Sequence, residues 1–501
     1  MNQSDQLKFG TDGWRAVIGD QFTFANVERM AQAASEALIA RGAAGPLIVG
    51  YDHRFLSDRF AETAARIAAA NGLSVRLAEG PATTPCISWA VREQQAAGAF
   101  ILTASHNPYE YNGFKIKEPH GGSASLELTA DIERRLGPVD AVKKTGGPEI
   151  ARFDPRPDYF EQLGRLVDIE RLTATLSPRG ALTSALKWPD LLTIVDSIGG
   201  AAGGFFSRLF GLHRPQTDFS APQFLVEIRS SRDPLFGGVN PEPIAQNLGA
   251  LSEAVRREAS RYPMTMGVAL DGDGDRVGAV DSDGAFVNSH QIFALILRHL
   301  VEDRGLSGGV VKTVSTSRLV AQMTEAYGLP LHEVPIGFKY VCNKMLTDDI
   351  LIGGEESGGI GIKGHLPERD GILCGLLLME LVIQRGKSLG AQIAELSERF
   401  GPHAYDRVDL HLRRVEDGKE VVESVKRSAP AAVAGQHVAE VQTLDGAKMV
   451  FDDGSWLLLR ASGTEPVLRV YAEAPDADQV ARLLAFGQER AQTTAGLGQQ
   501  A

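Results

Sequence analysis

Cysteine is scarce in this 501-residue chain: Cys86, Cys342 and Cys374 stand apart, with no CxxC spacing. That excludes a cysteine zinc site and a disulfide framework, and fits buried, reduced thiols in a cytoplasmic protein. Positive charge is in deficit, with 51 Lys and Arg against 63 Asp and Glu and a formal net charge of −12. Non-specific binding to nucleic acid or to an acidic membrane surface is therefore not expected. A small anionic substrate is not excluded, because a few arginines can cluster inside an acidic protein. Long apolar runs are missing too. The best candidate, 371–383, contains Glu380 and is too short to span a bilayer, so it reads as a core helix. Met1-Asn2-Gln3-Ser4-Asp5 shows no basic stretch followed by an apolar one, so no secretory signal is expected.

Familiar loop motifs are also absent. Gly386-Lys387-Ser388 has Leu381 where a Walker loop needs glycine, and Gly359-Ile360-Gly361-Ile362-Lys363-Gly364 runs into His365-Leu366-Pro367 rather than a helix. Neither binds a nucleotide by a recognised loop. No GxSxG elbow surrounds Ser105, a loop serine, which removes that hydrolase arrangement for it.

What the chain has is glycine, 54 residues of it, many at element ends or in polar clusters, as in an α/β protein with tight connections. The length suggests roughly three or four domains. A faint repeat of strand, polar turn and helix recurs: strands at 46–52, 191–196 and 309–314 lead to helices that stop at Gly72-Leu73, Gly211-Leu212 and Gly328-Leu329. Gly at the left-handed C′ position followed by an apolar residue is a helix-stop signal. After Phe400-Gly401-Pro402 the character changes. Val408, Leu410 and Leu412 alternate, 416–427 reads as a charged helix, and Asp445-Gly446 and Asp453-Gly454 mark tight turns. The expected organisation is three related mixed-sheet α/β domains at 1–152, 153–285 and 286–402, with a smaller α+β domain at 403–501.

Four loops carry candidate chemistry. Thr103-Ala104-Ser105-His106-Asn107-Pro108 follows the apolar run 99–102 and displays a hydroxyl on a loop held by strands, which reads as an exposed nucleophile. His106 is its sequence neighbour and is not expected to serve as a triad base. Leu270-Asp271-Gly272-Asp273-Gly274-Asp275-Arg276 places three carboxylates at alternate positions after a strand. Three hard oxygen ligands suit Mg²⁺. An EF-hand is excluded, since Arg276 stands where glycine is needed and Ser282 where the bidentate Glu belongs. In Gly354-Glu355-Glu356-Ser357-Gly358-Gly359, an extended backbone would point Glu355 and Ser357 the same way, a pair suited to sugar hydroxyls. Arg460-Ala461-Ser462-Gly463-Thr464-Glu465-Pro466, with Arg469 beyond, offers guanidinium forks and hydroxyls for a phosphate.

Together with Phe9-Gly10-Thr11-Asp12-Gly13-Trp14-Arg15, these runs resemble, in order and over nearly the whole chain, the α-D-phosphohexomutase superfamily of phosphoglucomutase/phosphomannomutase type. The resemblance implies three α/β domains and a smaller C-terminal domain around a central cleft. It implies an isomerase in which Ser105 carries a phosphoryl group and joins Asp271, Asp273 and Asp275 around Mg²⁺. Lys115 would be the general acid/base, its pKa depressed by burial beside Arg276. Arg15, Arg276, Gly337, Lys339, Glu355, Ser357 and Arg369 would bind the sugar phosphate, and Arg460, Ser462, Gly463, Thr464 and Arg469 its non-reacting phosphate. Glucose 1,6-bisphosphate would be the intermediate and activator.

Two positions depart from the pattern. Gly359 stands where enzymes acting on both mannose and glucose phosphates usually have His, so the loop looks more like that of phosphoglucomutases. Arg369 stands where some relatives carry a catalytic lysine, and arginine does not deprotonate usefully, so its role would be electrostatic. The expected activity is interconversion of glucose 1- and 6-phosphates. Phosphomannomutase or a bifunctional enzyme stands as the alternative, followed by phosphoglucosamine or phosphopentose mutase. In a different class, a sugar-phosphate phosphatase would pass the phosphoryl group to water.

Overall fold

The protein is described by a computed structural model covering residues 7–10, 13–176, 191–212, 217, 219, 224–463 and 465–495. It falls into two compact units, Met1–Gly309 with Gly337–Gln392, and Val310–Ile336 with Ile393–Ala501.

In the larger unit the apolar runs Leu47–Tyr51 and Gly98–Leu102 form adjacent parallel strands, buried on both faces as continuous Val/Ile/Leu/Phe segments require. Val75–Ala78 and Ala151–Phe153 extend that sheet in parallel on one side; Tyr111–Lys117 and Trp14–Val17 extend it antiparallel on the other. The helices Phe24–Ala40 and Ser57–Ala70 supply Val27, Met30, Phe60 and Ile67 to its core. A second mixed sheet repeats the plan: Thr193–Asp196 lies parallel to Leu225–Ile228 and Met266–Leu270, and Val277–Val280 and Phe286–Val287 follow antiparallel. The antiparallel pair Ile350–Gly354 and Ile360–Ile362 also belongs to the larger unit, whereas the parallel pair Gly309–Thr313 and Leu331–Val334 falls, from Val310 onward, to the smaller one.

The sequence repeat is physical. Gly72, Gly211 and Gly328 all have positive φ. The next N–H in each case bonds five residues back: Leu73 to Ala68, Leu212 to Ser207 and Leu329 to Thr324. That is the same helix closure three times over. The expected core helix is present as Gly371–Arg385, buried along most of its length.

The repeat also positions the candidate site. Ser105 follows Gly98–Leu102, Asp271 follows Met266–Leu270 and Glu355 follows Ile350–Gly354. Each loop turns the chain into an antiparallel partner strand, so the three occupy equivalent places at strand carboxyl ends.

In the smaller unit, Ala404–His411, Val467–Ala474, Trp456–Ala461, Ala447–Phe451, Gln436–Gln442 and Ala432–Val433 form one antiparallel sheet in that order. Val415–Arg427 and Ala477–Ala495 are its helices, and Val421, Leu457, Leu468 and Leu483 lie in the core. Trp456, Leu458 and Tyr471 form a second cluster with Val314 and Ile336. Among the described residues, no helix is long and apolar enough to cross a membrane.

Candidate active site

Ser105 is not exposed, as the sequence reading expects, but 1% accessible, with φ +54. Its Oγ donates to Asp271 Oδ2 at 2.8 Å, and its N–H donates to Thr103 Oγ1 at 2.9 Å. The loops interlock because Gly272 has no side chain: a Cβ there would lie 2.5 Å from the Ser105 carbonyl oxygen. His106, set aside on adjacency alone, brings Nδ1 to 3.3 Å from Ser105 Oγ. Burial, then Arg276, Arg15, Lys115 and Arg54, push its imidazole pKa well below the usual range. The single serine proton nevertheless goes to Asp271, at the shorter distance.

Asp271, Asp273 and Asp275 are fully buried, and one carboxylate oxygen of each lies within 4.8 Å of the others. Asp271 Oδ1 accepts the N–H groups of Asp275 and Arg276, at 2.9 and 3.1 Å. Asp273 Oδ2 accepts from Thr84 Oγ1 at 2.6 Å and Lys115 Nζ at 2.8 Å. Asp275 Oδ2 accepts from Lys115 Nζ at 3.0 Å and an Arg369 nitrogen at 2.8 Å. The remaining oxygens, Asp273 Oδ1 and Asp275 Oδ1, are buried without a hydrogen-bond donor among the described residues. Burial, then Asp273 and Asp275, push the Asp271 carboxyl well above the usual range. Against the opposing effect of burial, Lys115 and Thr84 hold Asp273 below it. Two orphaned oxygens and a carboxyl that resists ionisation are what a small hard cation relieves. The donor set fits Mg²⁺.

Lys115 is 1% exposed, and its Nζ lies 2.8 Å from Asp273 and 3.0 Å from Asp275. Arg276 stands 3.4 Å from Glu242 and pairs through its backbone with Gly359. That bridge, with Val277 N–H donating to the Gly358 carbonyl at 3.1 Å, joins the aspartate loop to the Glu355 loop. It also corrects a second expectation. Residues 355–357 form a turn, closed by Gly358 N–H on the Glu355 carbonyl, and not an extended segment. Glu355 is buried, accepts the Gly337 N–H at 3.1 Å and lies 3.4 Å from Arg369; Ser357 is half-buried. Arg369 therefore links Asp275, Glu355 and Glu368, with its guanidinium 5.3 Å from the Phe338 ring centre. Arg15 reaches Asn107 Oδ1 at 2.7 Å. Lys339 lies over the Tyr340 ring and lines a small pocket with Phe9, Gly10 and Gly13.

In the smaller unit, Arg460 and Arg469 are cross-strand partners, so two like charges share one face. Such a pair is unfavourable unless anions balance it. Arg460 donates to Asp445 at 2.9 Å, and Arg469 lies 3.6 Å from Asp409. Ser462 Oγ accepts the Glu465 N–H, and Gly463 borders open space. Thr464 lies outside the described residues. Thr84, Arg54 and the Lys117–Glu368 pair were missed from sequence; Asp52-His53-Arg54 at a strand end was the one local signal available.

Models of the phosphoglucomutase/phosphomannomutase α/β/α domains I, II and III match residues 6–141, 180–284 and 288–400, and the model of its C-terminal domain matches 413–486. The chain is 29% identical to a phosphoglucomutase/phosphomannomutase of Thermococcus kodakarensis, over 96% of this chain and 97% of that one. It is 32% identical to a phosphoglucosamine mutase of Thermobifida fusca, over 94% and 95%. The crystal structure of a "putative phosphomannomutase" from Thermus thermophilus superposes with a TM-score of 0.81 at 37% identity, covering 97% of this chain and 98% of that one.

Proposed function

Because the chain belongs to the phosphoglucomutase/phosphomannomutase family, and is thus an isomerase of phosphohexomutase type, we propose that it interconverts glucose 1-phosphate and glucose 6-phosphate through phosphorylated Ser105. The observation that carries the chemistry is Ser105 Oγ hydrogen-bonded to Asp271 beside two unpartnered aspartate oxygens. Bound to Asp271, Asp273, Asp275 and the Ser105 phosphoryl group, Mg²⁺ would supply charge neutralisation during transfer. The P–Oγ bond breaks, a bond from phosphorus to a sugar hydroxyl oxygen forms, and the hydroxyl proton passes to Lys115 in its neutral amine form, which must have given up its own proton beforehand. Glucose 1,6-bisphosphate then returns its other phosphoryl group to Ser105. Glu355 and Ser357 are assigned sugar hydroxyls, and Arg460, Ser462, Gly463, Thr464 and Arg469 a substrate phosphate. Arg15, Arg276, Gly337 and Lys339 complete the proposed substrate contacts. Arg369 acts by position, holding Asp275 and Glu355 together.

The sugar reading rests on Gly359. A Cβ there would lie 2.2 Å from Arg369 Cδ, so the arginine occupies the space a side chain at 359 would need. This pairing supports the glucose-type loop over one bearing histidine. Coupled assays on each hexose phosphate, with trace bisphosphate, should give the largest kcat/KM for glucose 1-phosphate; faster turnover of mannose 1-phosphate overturns the choice. Glucosamine phosphate is the second reading, favoured by the name of the Thermobifida fusca relative. The same assay decides it.

Mg²⁺ added to metal-stripped protein should raise the melting temperature. At a hundredfold excess over its dissociation constant, linkage gives about 2.7 kcal/mol of added stability. Asp273→Asn should lose most of the rise, and an equal rise in that variant would remove Asp273 from the metal set.

A further inference from the structure

Arg54 is fully buried just beyond the strand Leu47–Tyr51. One terminal nitrogen donates to the carbonyls of Pro108 and Tyr111, at 2.8 and 2.9 Å. The other donates to those of Ser105 and Asn107, at 2.7 and 2.6 Å. A single guanidinium thus gathers four main-chain carbonyls of the segment from Ser105 to Tyr111, including that of Ser105 itself. Its own placement is fixed from behind. Asp52 lies 3.3 Å from Arg54 Nε and accepts both the Arg54 N–H and Ser57 Oγ, each at 2.9 Å. Asn112, at the far end of the same loop, donates to Ser57 Oγ at 2.9 Å. The Phe236 ring packs against the guanidinium, with its centre 4.9 Å away.

We propose that Arg54 is a positioning residue for phosphoryl transfer, holding the Ser105 loop in the conformation that aims Oγ at Asp271. The proposal rests on the reading of Ser105 as phosphoryl carrier. Ser105 sits at φ +54, a left-handed conformation that a serine seldom adopts unless its surroundings impose it. A carbonyl fixed at each end and in the middle of the loop imposes it. Only a planar fork with several N–H donors reaches four acceptors at once; a lysine ammonium has three donors and no plane.

The test compares Arg54→Lys and Arg54→Ala with wild type and with Ser105→Ala. In Arg54→Lys, KM for the sugar phosphate should stay within about threefold while kcat falls about 100-fold, the signature of misplaced reacting groups. Millimolar guanidinium chloride should restore part of the kcat of Arg54→Ala and none in Ser105→Ala. Where the alanine variant does not fold, the lysine variant decides. A lower melting temperature with unchanged kcat per folded molecule marks a merely structural arginine and overturns the proposal. Activity remaining in Ser105→Ala instead overturns the carrier reading. The Arg54 proposal is then read from amide hydrogen exchange over 103–112, which should quicken at least about tenfold in Arg54→Lys as the loop opens locally. Unchanged exchange overturns it.

Discussion

Ser105→Ala should eliminate the phosphate-sized adduct from the intact mass of the purified protein and lower isomerisation by at least about 10⁴-fold. The fold should hardly notice. The hydroxyl makes one short contact, to Asp271 Oδ2, while Asp271 Oδ1 keeps the Asp275 and Arg276 amides. What disappears is the hydroxyl placed to take the phosphoryl group beside the three aspartates. An adduct that survives the substitution would move the carrier elsewhere. The same preparation separates a mutase from a phosphatase: a mutase releases little free phosphate per isomerisation because a closed site excludes water.

The features legible in the sequence share a cause: each is local. Helix closures at Gly72, Gly211 and Gly328 depend on one residue's backbone freedom and its neighbour's packing, so three consecutive letters announce them. Loops at strand ends are announced by an apolar run meeting a polar one, which is why the places of Ser105, Asp271 and Glu355 are legible in the sequence. Their surroundings could not. Ser105 is buried because Arg54, 51 residues away, and the Asp271 loop, 166 away, fold onto it. Lys115 sits among carboxylates because Asp273 and Asp275 reach it from another sheet. The Glu355 segment turns because its glycines pair with Arg276 and Val277. Pairings at such separations leave no pattern in composition or periodicity.

Lys117→Ala is expected to have the largest effect on stability, about 3–5 kcal/mol. Lys117 and Glu368 are both fully buried and face one another across 251 residues of chain. Removing the ammonium leaves a buried carboxylate that keeps the Ser123 hydroxyl, at 3.1 Å, and the Arg369 N–H, at 2.9 Å, but loses its shortest charged partner. Urea unfolding of the single variant should show the loss as a lower midpoint, and a change below about 1 kcal/mol would mean the pair relaxes into water. The double variant Lys117→Met/Glu368→Met should recover most of the stability, because well-packed apolar side chains replace a buried ion pair at little loss. It should not recover activity. Glu368 also stands 3.5 Å from Arg369 Nε, and Arg369 in turn holds Asp275 and Glu355. Stability restored with kcat still depressed would locate the function of this ion pair in aiming Arg369 at the aspartate loop, and a full recovery of kcat would confine it to holding the sheet and the Glu368 loop together.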